Sequence, residues 1–249
     1  MHFSGGEAVQ LKNPLSQEMG FVCNSILPGL LMAASYNEKR QEKGFKLFEI
    51  GAIHNKSKKS VTGSSEKFHL GLIWYGYAAP HWRAFEDRDI YRYKGEVSQI
   101  LNSIGICDIS FKVGSESGFQ IQLKIYSGKT RIGSIGIPEP KILQTYDLND
   151  APGVCDLSLH IIRDVWKTRA MVYRAPVSYP SMSRDIALQI SRGISAEDLL
   201  KTIWKQGGNT LIHVSLFDVY QSKDVGDNNK SLAFSLKYQS ETSTLTDSE

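Results

Sequence analysis

The side chains able to do chemistry in this 249-residue sequence do not form a known catalytic set. The densest group is His81 and Trp82 followed by Glu86, Asp87 and Asp89, and it has two interpretations: a solvated loop or partner surface, which we favour, or an acid/base site. Neither a Gly-x-Ser-x-Gly elbow nor a Gly-x-x-x-x-Gly-Lys-Ser/Thr phosphate loop occurs. The six histidines form no i,i+4 pair, and Cys-x-x-Cys is absent. We predict no catalytic residue and no metal site.

Composition and charge are ordinary for a globular chain. Apolar residues make up 41% and charged residues 22%, and no apolar run approaches the ~20 residues of a membrane-spanning helix. Residues 1–169 carry 21 Lys and Arg against 17 Asp and Glu, whereas residues 170–249 carry 8 against 9. Because phosphate neutralisation dominates non-specific nucleic-acid affinity, the second part alone should bind RNA weakly. Cys23, Cys107 and Cys155 are widely spaced, which together with the lack of a signal peptide predicts reduced thiols and a cytoplasmic location.

The second part, residues 170–249, has the element order β-α-β-β. Ile186, Leu188 and Ile190 alternate with polar residues as in a half-buried strand, and Ser195 is the expected N-cap of a helix that ends before Gly207. Two more alternating runs cover 211–220 and 230–238. The spacing of 246–249 is that of a capping box, so a second helix should begin there. This order predicts a ferredoxin-like unit that is incomplete at its C-terminus.

The first part, residues 1–169, reads as α+β with a mainly antiparallel sheet. A helix begins near Leu27 and ends before Gly44, with one apolar stripe along it. We predict strands over 45–53, 69–77, 109–113, 119–126, 131–137 and 154–162, a helix over 94–104 and a short helix after Pro138. The strands 119–126 and 131–137 should form a hairpin, and 165–175 is the predicted link between the two parts.

Four short motifs of the second part carry a resemblance to a known family, in order: Ser183-Arg184-Asp185-Ile186-Ala187, Leu216-Phe217-Asp218-Val219-Tyr220, Lys230-Ser231-Leu232-Ala233 and Thr244-Leu245-Thr246. They resemble the ferredoxin-fold anticodon-binding domain of the bacterial phenylalanyl-tRNA synthetase β subunit. In that family a second helix and a fourth strand follow.

The first part resembles the class II synthetase-like module of the same β subunit. The matching motifs, in order, are Asn13-Pro14-Leu15-Ser16, Ser25-Ile26-Leu27-Pro28-Gly29-Leu30-Leu31, Leu47-Phe48-Glu49-Ile50-Gly51, Tyr93-Lys94-Gly95 and Ile132-Gly133-Ser134-Ile135-Gly136. Two positions depart from the family pattern. Cys23 stands where Arg is usual, and Ser117-Gly118-Phe119 replaces an expected His-Pro-Gly.

The resemblance implies that this module is catalytically silent. Adenylation on a class II sheet needs two arginines that hold ATP phosphates, because the charge of the transition state must be neutralised. At the first of these positions the chain has Phe48-Glu49, and neither Gly136-Ile137-Pro138 nor Arg163-Asp164-Val165 supplies the second. We expect ATP and magnesium to be used by the holoenzyme and not bound by this chain.

The resemblance also points to contacts with the tRNA(Phe) anticodon. Splayed-out bases stack on aromatic rings, at about 1–3 kcal/mol per base. The candidate tRNA-binding residues are Tyr179, Arg184, Phe217, Tyr220, Lys230 and Ser231. Strand alternation points Phe217 and Tyr220 to opposite faces, so one of these two should be a core residue. Two interpretations of Arg184 and Asp185 are equally consistent with the sequence: an ion pair or a turn at the start of the strand that fixes the loop, or a guanidinium that contacts a base or phosphate.

The implied partners are the catalytic α subunit, in an (αβ)₂ heterotetramer, and tRNA(Phe). We predict that the apolar stripe Leu27, Leu30, Leu31 and Ala34 contributes to the subunit interface, although a stripe of this kind more often packs on its own domain. A non-enzymatic RNA- or protein-binding paralogue of the β subunit is the alternative function. An independent biotin- or lipoate-type ligase would need a Gly-rich nucleotide loop and a catalytic lysine in context, and neither is visible.

Overall fold

The structure, a computed structural model, describes residues 3, 6–16, 20–76, 90–167, 175–221 and 228–246. The chain divides into two compact units, Met1–Met171 and Val172–Glu249. The elements of the first unit are α1 (Leu27–Glu38), β1 (Gly44–Lys56), β2 (Ser64–Gly76), α2 (Ile90–Ser103), β3 (Ile109–Gly114), β4 (Phe119–Ser127), β5 (Thr130–Pro138), α3 (Pro140–Thr145), β6 (Gly153–Ser158) and α4 (Leu159–Lys167). Those of the second unit are β7 (Met182–Ser191), α5 (Ala196–Gln206), β8 (Leu211–Tyr220) and β9 (Asn229–Tyr238).

The first unit is a six-stranded antiparallel sheet covered by helices on both faces. Its strand order is β1-β2-β6-β5-β4-β3. On one face α2 and α4 pack over Cys155 and Leu157, and on the other α1 and α3 pack over Ile73 and Val154. The predicted α+β class, the antiparallel sheet and the β4–β5 hairpin are therefore confirmed.

The predicted strand over 154–162 is wrong in its second half. β6 ends at Ser158, and the next residues form α4, which continues to Lys167. Because the strand is buried on both faces, its apolar residues do not alternate with polar ones and do not mark where it ends. The start of the predicted link at 165–175 therefore belongs to a helix, and 168–174 lie outside the described residues.

The second unit is a three-stranded antiparallel sheet in the order β7-β9-β8, with α5 packed on one face. Phe234 in the central strand β9 is fully buried beneath that helix. Ser195 caps α5 as predicted, because its Oγ accepts a hydrogen bond from the backbone N–H of Asp198 at 3.1 Å.

Two predictions fall on residues that the structure does not describe: the group from His81 to Asp89 and the helix start at 247–249. Among the helices of the described ranges, none has the length and apolar character needed to cross a bilayer.

Candidate functional site

The four apolar residues of α1 that we predicted at a subunit interface are core residues of the first unit. Leu27, Leu30, Leu31 and Ala34 are between 0% and 3% exposed and pack against β2, β6 and α3. Side chains buried in their own unit offer no free surface to a partner. If α1 contributes to an interface, its exposed residues Met32 and Tyr36 would have to do so.

An apolar surface that the sequence did not reveal lies on β1 and the adjoining end of β2. We call the three exposed side chains Phe48, Ile50 and Phe68 the edge stripe; they are 71%, 59% and 52% exposed. Their strand partners place them on one face of the sheet, beside Leu70 and Leu72. β1 is an edge strand. In the sequence, Lys46 and Glu49 lie beside Phe48 and Ile50 and give β1 the mixed polar and apolar pattern of an ordinary strand. For this reason the sequence pattern did not reveal the stripe.

A polar cavity of about 490 Å³ opens on the opposite face of the same sheet. We call it the sheet-face cavity. His69 on β2 and Asp156 on β6 form its floor with a Nδ1–Oδ1 distance of 2.5 Å. Ser134 on β5 lies directly opposite Asp156 in the strand register. Lys67 and His160 also line it.

Charges in the sheet-face cavity are mostly paired. Arg131 holds Glu116 through two guanidinium hydrogen bonds, at 2.6 and 3.0 Å, and this pairing lowers the pKa of the Glu116 carboxyl to about 2. The His160 Nδ1 lies 2.9 Å from the Ser158 hydroxyl. Burial, and then the charge of Lys67, lowers the pKa of His160.

These residues do not fit a magnesium–ATP complex. Arg131 is committed to Glu116, and no second arginine lines the described part of the cavity. Within the described ranges, no group of three or more His, Cys, Asp or Glu side chains is placed to hold a metal ion. We therefore derive no phosphoryl or adenylyl transfer step for this chain.

Five of the predicted tRNA-binding residues divide between the two ends of the small sheet, and Phe217 lies between them. Tyr220 and Ser231 face each other across β8 and β9. Arg184 is the partner of Leu236, five residues further along β9, which corresponds to a separation of about 17 Å. The carbonyl oxygen of Tyr179 accepts a hydrogen bond from Gln239 at that second end, at 2.6 Å.

Four of these side chains, Tyr179, Arg184, Phe217 and Tyr220, are exposed, whereas Lys230 and Ser231 are half-buried. Phe217 and Tyr220 are 58% and 50% exposed, so the expectation that one of them is a core residue is wrong. A register shift between Leu216 and Asp218 makes Phe217 an extra residue in β8, and this bulge breaks the alternation that the prediction assumed. Arg184 Nη1 donates to the Ser183 carbonyl at 3.2 Å, and Lys230 Nζ donates to the Arg192 carbonyl at 3.1 Å.

Comparison with known proteins agrees with both units. Residues 2–159 match the phenylalanyl tRNA synthetase beta chain CLM domain, and residues 177–249 match the ferredoxin-fold anticodon binding domain. The chain belongs to the phenylalanyl-tRNA synthetase beta chain family. Within this family it is 32% identical over 247 residues to the phenylalanine–tRNA ligase beta subunit of Carboxydothermus hydrogenoformans, and 33% identical over 249 residues to that of Yersinia pestis. Each alignment covers 98% of this chain but only 31% of the relative, so the chain spans about a third of their length.

About two-thirds of the chain also shares its fold with a solved synthetase. A solved pyrrolysyl tRNA synthetase of Desulfitobacterium hafniense superposes with a TM-score of 0.52 at 15% identity, covering 65% of this chain and 54% of that protein. The two departures from the family pattern are accommodated locally. Cys23 Sγ donates to the Ser25 carbonyl at 2.9 Å. Gly118 has φ +95°, and a Cβ there would lie 3.1 Å from Ile142 and 3.3 Å from Phe3.

Proposed function

We propose that this chain is part of a phenylalanine–tRNA ligase β subunit, in which it braces the catalytic α subunit and contacts the anticodon region of tRNA(Phe). The holoenzyme would be a cytoplasmic (αβ)₂ heterotetramer that charges tRNA(Phe) with ATP and magnesium. Family membership supports this function, and the poor fit of the sheet-face cavity to magnesium–ATP supports a non-catalytic role for the chain.

The observation that carries the scaffold role is the edge stripe. Three large apolar side chains, each more than half exposed, lie on one face of the sheet: Phe48 and Ile50 on the edge strand β1, and Phe68 on its neighbour β2. Contiguous apolar patches of this kind mark interaction surfaces. Within the described ranges, the N-terminal segment pairs with the far end of β1, where His54 N–H bonds to the Cys23 carbonyl and Lys56 N–H bonds to the Glu7 carbonyl. We therefore place the α-subunit contact at the first half of β1.

The scaffold role is tested by changing the edge stripe and measuring assembly with the α subunit. Phe48 is 71% exposed. Burying that fraction would remove roughly 100–150 Å² of apolar surface, which contributes about 3 kcal/mol. Phe48→Thr keeps a β-branched side chain on the strand and should weaken association about tenfold or more. The matched control is Val113→Thr, because Val113 is 87% exposed on β3, the opposite edge strand.

The two variants give opposite outcomes if the proposal holds. Analytical ultracentrifugation or a titration with the purified α subunit should show weaker assembly for Phe48→Thr and unchanged assembly for Val113→Thr. Equal affinities for Phe48→Thr and the parent chain would remove the edge stripe from the interface. Measurable phenylalanine-dependent ATP–pyrophosphate exchange by this chain without α would contradict its non-catalytic role.

The alternative, a paralogue that binds RNA or protein outside translation, is favoured by the near-neutral charge of residues 170–249. A competition gel shift separates the two functions. Assembled with α, the ligase subunit should prefer tRNA(Phe) over other tRNAs, whereas a paralogue should show no preference. Tyr220→Leu should lower binding to tRNA(Phe) by about fivefold to a hundredfold, the loss of one stacked base.

A further inference from the structure

The sheet-face cavity contains groups that the proposed scaffold and tRNA roles do not use. Lys67 is exposed on β2 and lines the cavity, and its ammonium has no hydrogen bond or ion pair with any described residue. Arg131 forms an ion pair with Glu116, and the His69 imidazole contacts the Asp156 carboxylate. The Lys67 ammonium is therefore available to an anion bound in the cavity.

Ser134 supplies an independent indication of a ligand. It is 9% exposed, faces the cavity from β5, and its hydroxyl has no hydrogen bond with a described residue. Its oxygen is not one of the buried, unpaired atoms of the described residues, so the hydroxyl opens onto the cavity and can donate a hydrogen bond there. A ligand oxygen in the cavity would accept this hydrogen bond.

The amino end of α4 lies at the same cavity. Ser158 precedes the helix, and His160 and Ile161 in its first turn line the cavity wall. The amino end of a helix attracts anions, because its backbone dipoles and unpaired N–H groups point toward them. Three different elements, β2, β5 and α4, thus present groups that favour negative charge.

We infer that the sheet-face cavity binds the oxyanion of a small molecule, a carboxylate or a phosphate monoester, through Lys67 and Ser134 beside the amino end of α4. Its volume of about 490 Å³ accommodates more than the oxyanion, and Ile53 and Ile132 provide apolar wall for an organic body. Because Arg131 is paired with Glu116, the described part of the cavity lacks the positive charge that a triphosphate needs. Lys67 and Ser134 are enough to hold a single oxyanion.

The test is an NMR titration of the full chain with four separate probes: acetate, benzoate, inorganic phosphate and AMP. The imidazole C2 protons of His69 and His160, assigned with His69→Gln and His160→Gln variants, report on the two walls of the cavity. We expect saturable shifts of both signals. Tighter binding of benzoate than of acetate would identify a carboxylate ligand, and tighter binding of AMP than of phosphate would identify a phosphate ester.

Two variants and a matched control decide whether the binding is local. Lys67→Gln should weaken the tightest probe about tenfold, and Ser134→Ala about threefold or more, since each removes one hydrogen bond to an anion. Lys43→Gln removes the same charge at the turn before β1, the opposite end of that strand from the cavity, and should leave affinity unchanged. Amide spectra and melting temperatures of all three variants verify folding.

The pKa of His160 provides a second readout of anion binding. Its imidazole is influenced by Lys67 and His69 from β2, and by Arg163 and Asp164 on its own helix. Bound acetate should favour the charged imidazole, so saturating acetate should raise the pKa of His160, and affinity should increase as pH falls.

Three results would overturn the inference. The first is the absence of saturable shifts with all four probes. The second is an equal loss of affinity in Lys67→Gln and Lys43→Gln, which would indicate diffuse charge attraction. The third is an RNA oligonucleotide that shifts His69 and His160 while the small probes do not. None of these outcomes bears on α-subunit assembly, which is measured separately.

Discussion

Leu31→Ala tests whether the apolar face of α1 belongs to the core or to a subunit interface. Leu31 is fully buried, whereas its neighbour Met32 is 63% exposed. Truncating Leu31 removes three carbon atoms from the core, a transfer loss of about 2.4 kcal/mol at ~0.8 kcal/mol per methylene. The residual cavity adds to this, so we expect a total loss of about 2.5–4 kcal/mol. Met32→Ala, the matched control, should change stability by less than about 0.5 kcal/mol.

Urea unfolding followed by tryptophan fluorescence measures this difference in the first unit alone. Trp204 lies in the second unit, and a Trp204→Phe background leaves Trp74, Trp82 and Trp166, which all precede the unit boundary. With a urea dependence of about 2 kcal/mol per M, the Leu31→Ala midpoint should fall by about 1–2 M. An interface role would give the opposite pattern, with unchanged stability and lost assembly with α. A midpoint shift below about 0.3 M would refute the core assignment.

Three further predictions concern local packing, pH and capping. Gly71→Ala should destabilise the first unit by about 1–3 kcal/mol in urea titrations, because its Cβ would lie 2.6 Å from Ile26, whereas Gly51→Ala, with nearest contacts at 3.5 Å, should not; equal effects would contradict the close α1–β2 approach. Ion pairing holds the pKa of Glu116 at about 2, below its unfolded value, so its contribution is full above about pH 4.5 and is lost as pH falls toward 2. Since the side chain is about one-third exposed, that contribution should be about 1–2 kcal/mol. In Glu116→Gln, the free energy of unfolding measured by urea titration should depend less on pH across this range. Ser195→Ala should cost the second unit about 0.5–2 kcal/mol, and Ser195→Asp should restore it, as thermal unfolding would show.

Local sequence signals predicted most of the helices and strands. The predictions failed where burial in the folded chain, and not the neighbouring residues, determines where an element ends. The cap at Ser195 and the β4–β5 hairpin depend on neighbouring residues, which the sequence displays directly. The end of β6 is not visible in the neighbouring residues, because a strand buried on both faces does not alternate apolar and polar residues, and no change in pattern marks its end. Ile161, Ile162 and Val165 are spaced as in a helix, and this was the one signal that could have placed the start of α4 after Ser158.

The candidate sites were harder to predict, since a residue type does not specify which side of a layer it occupies. Leu31 and Phe48 are both apolar residues within the family motifs, yet the first is fully buried and the second is 71% exposed. The sheet-face cavity shows the same limit, because Lys67, Ser134 and Asp156 are far apart in the chain and meet only through the pairing of β2, β5 and β6.

The division of the predicted tRNA-binding residues has a consequence for how RNA would be held. Tyr220 and Ser231 are strand partners and point to the same face of the small sheet. Leu232 and Phe234, which alternate with Ser231 along β9, point to the other face and pack against α5, so Tyr220 and Ser231 lie on the face that α5 leaves open. Arg184 is paired with Leu236 on the other face, at the opposite end. One base cannot contact both groups across about 17 Å. Losses from Tyr220→Leu and Arg184→Gln should therefore add in free energy, as expected for sites that do not touch. A double variant that binds tRNA(Phe) no more weakly than the worse single variant would show that the two residues act on one contact.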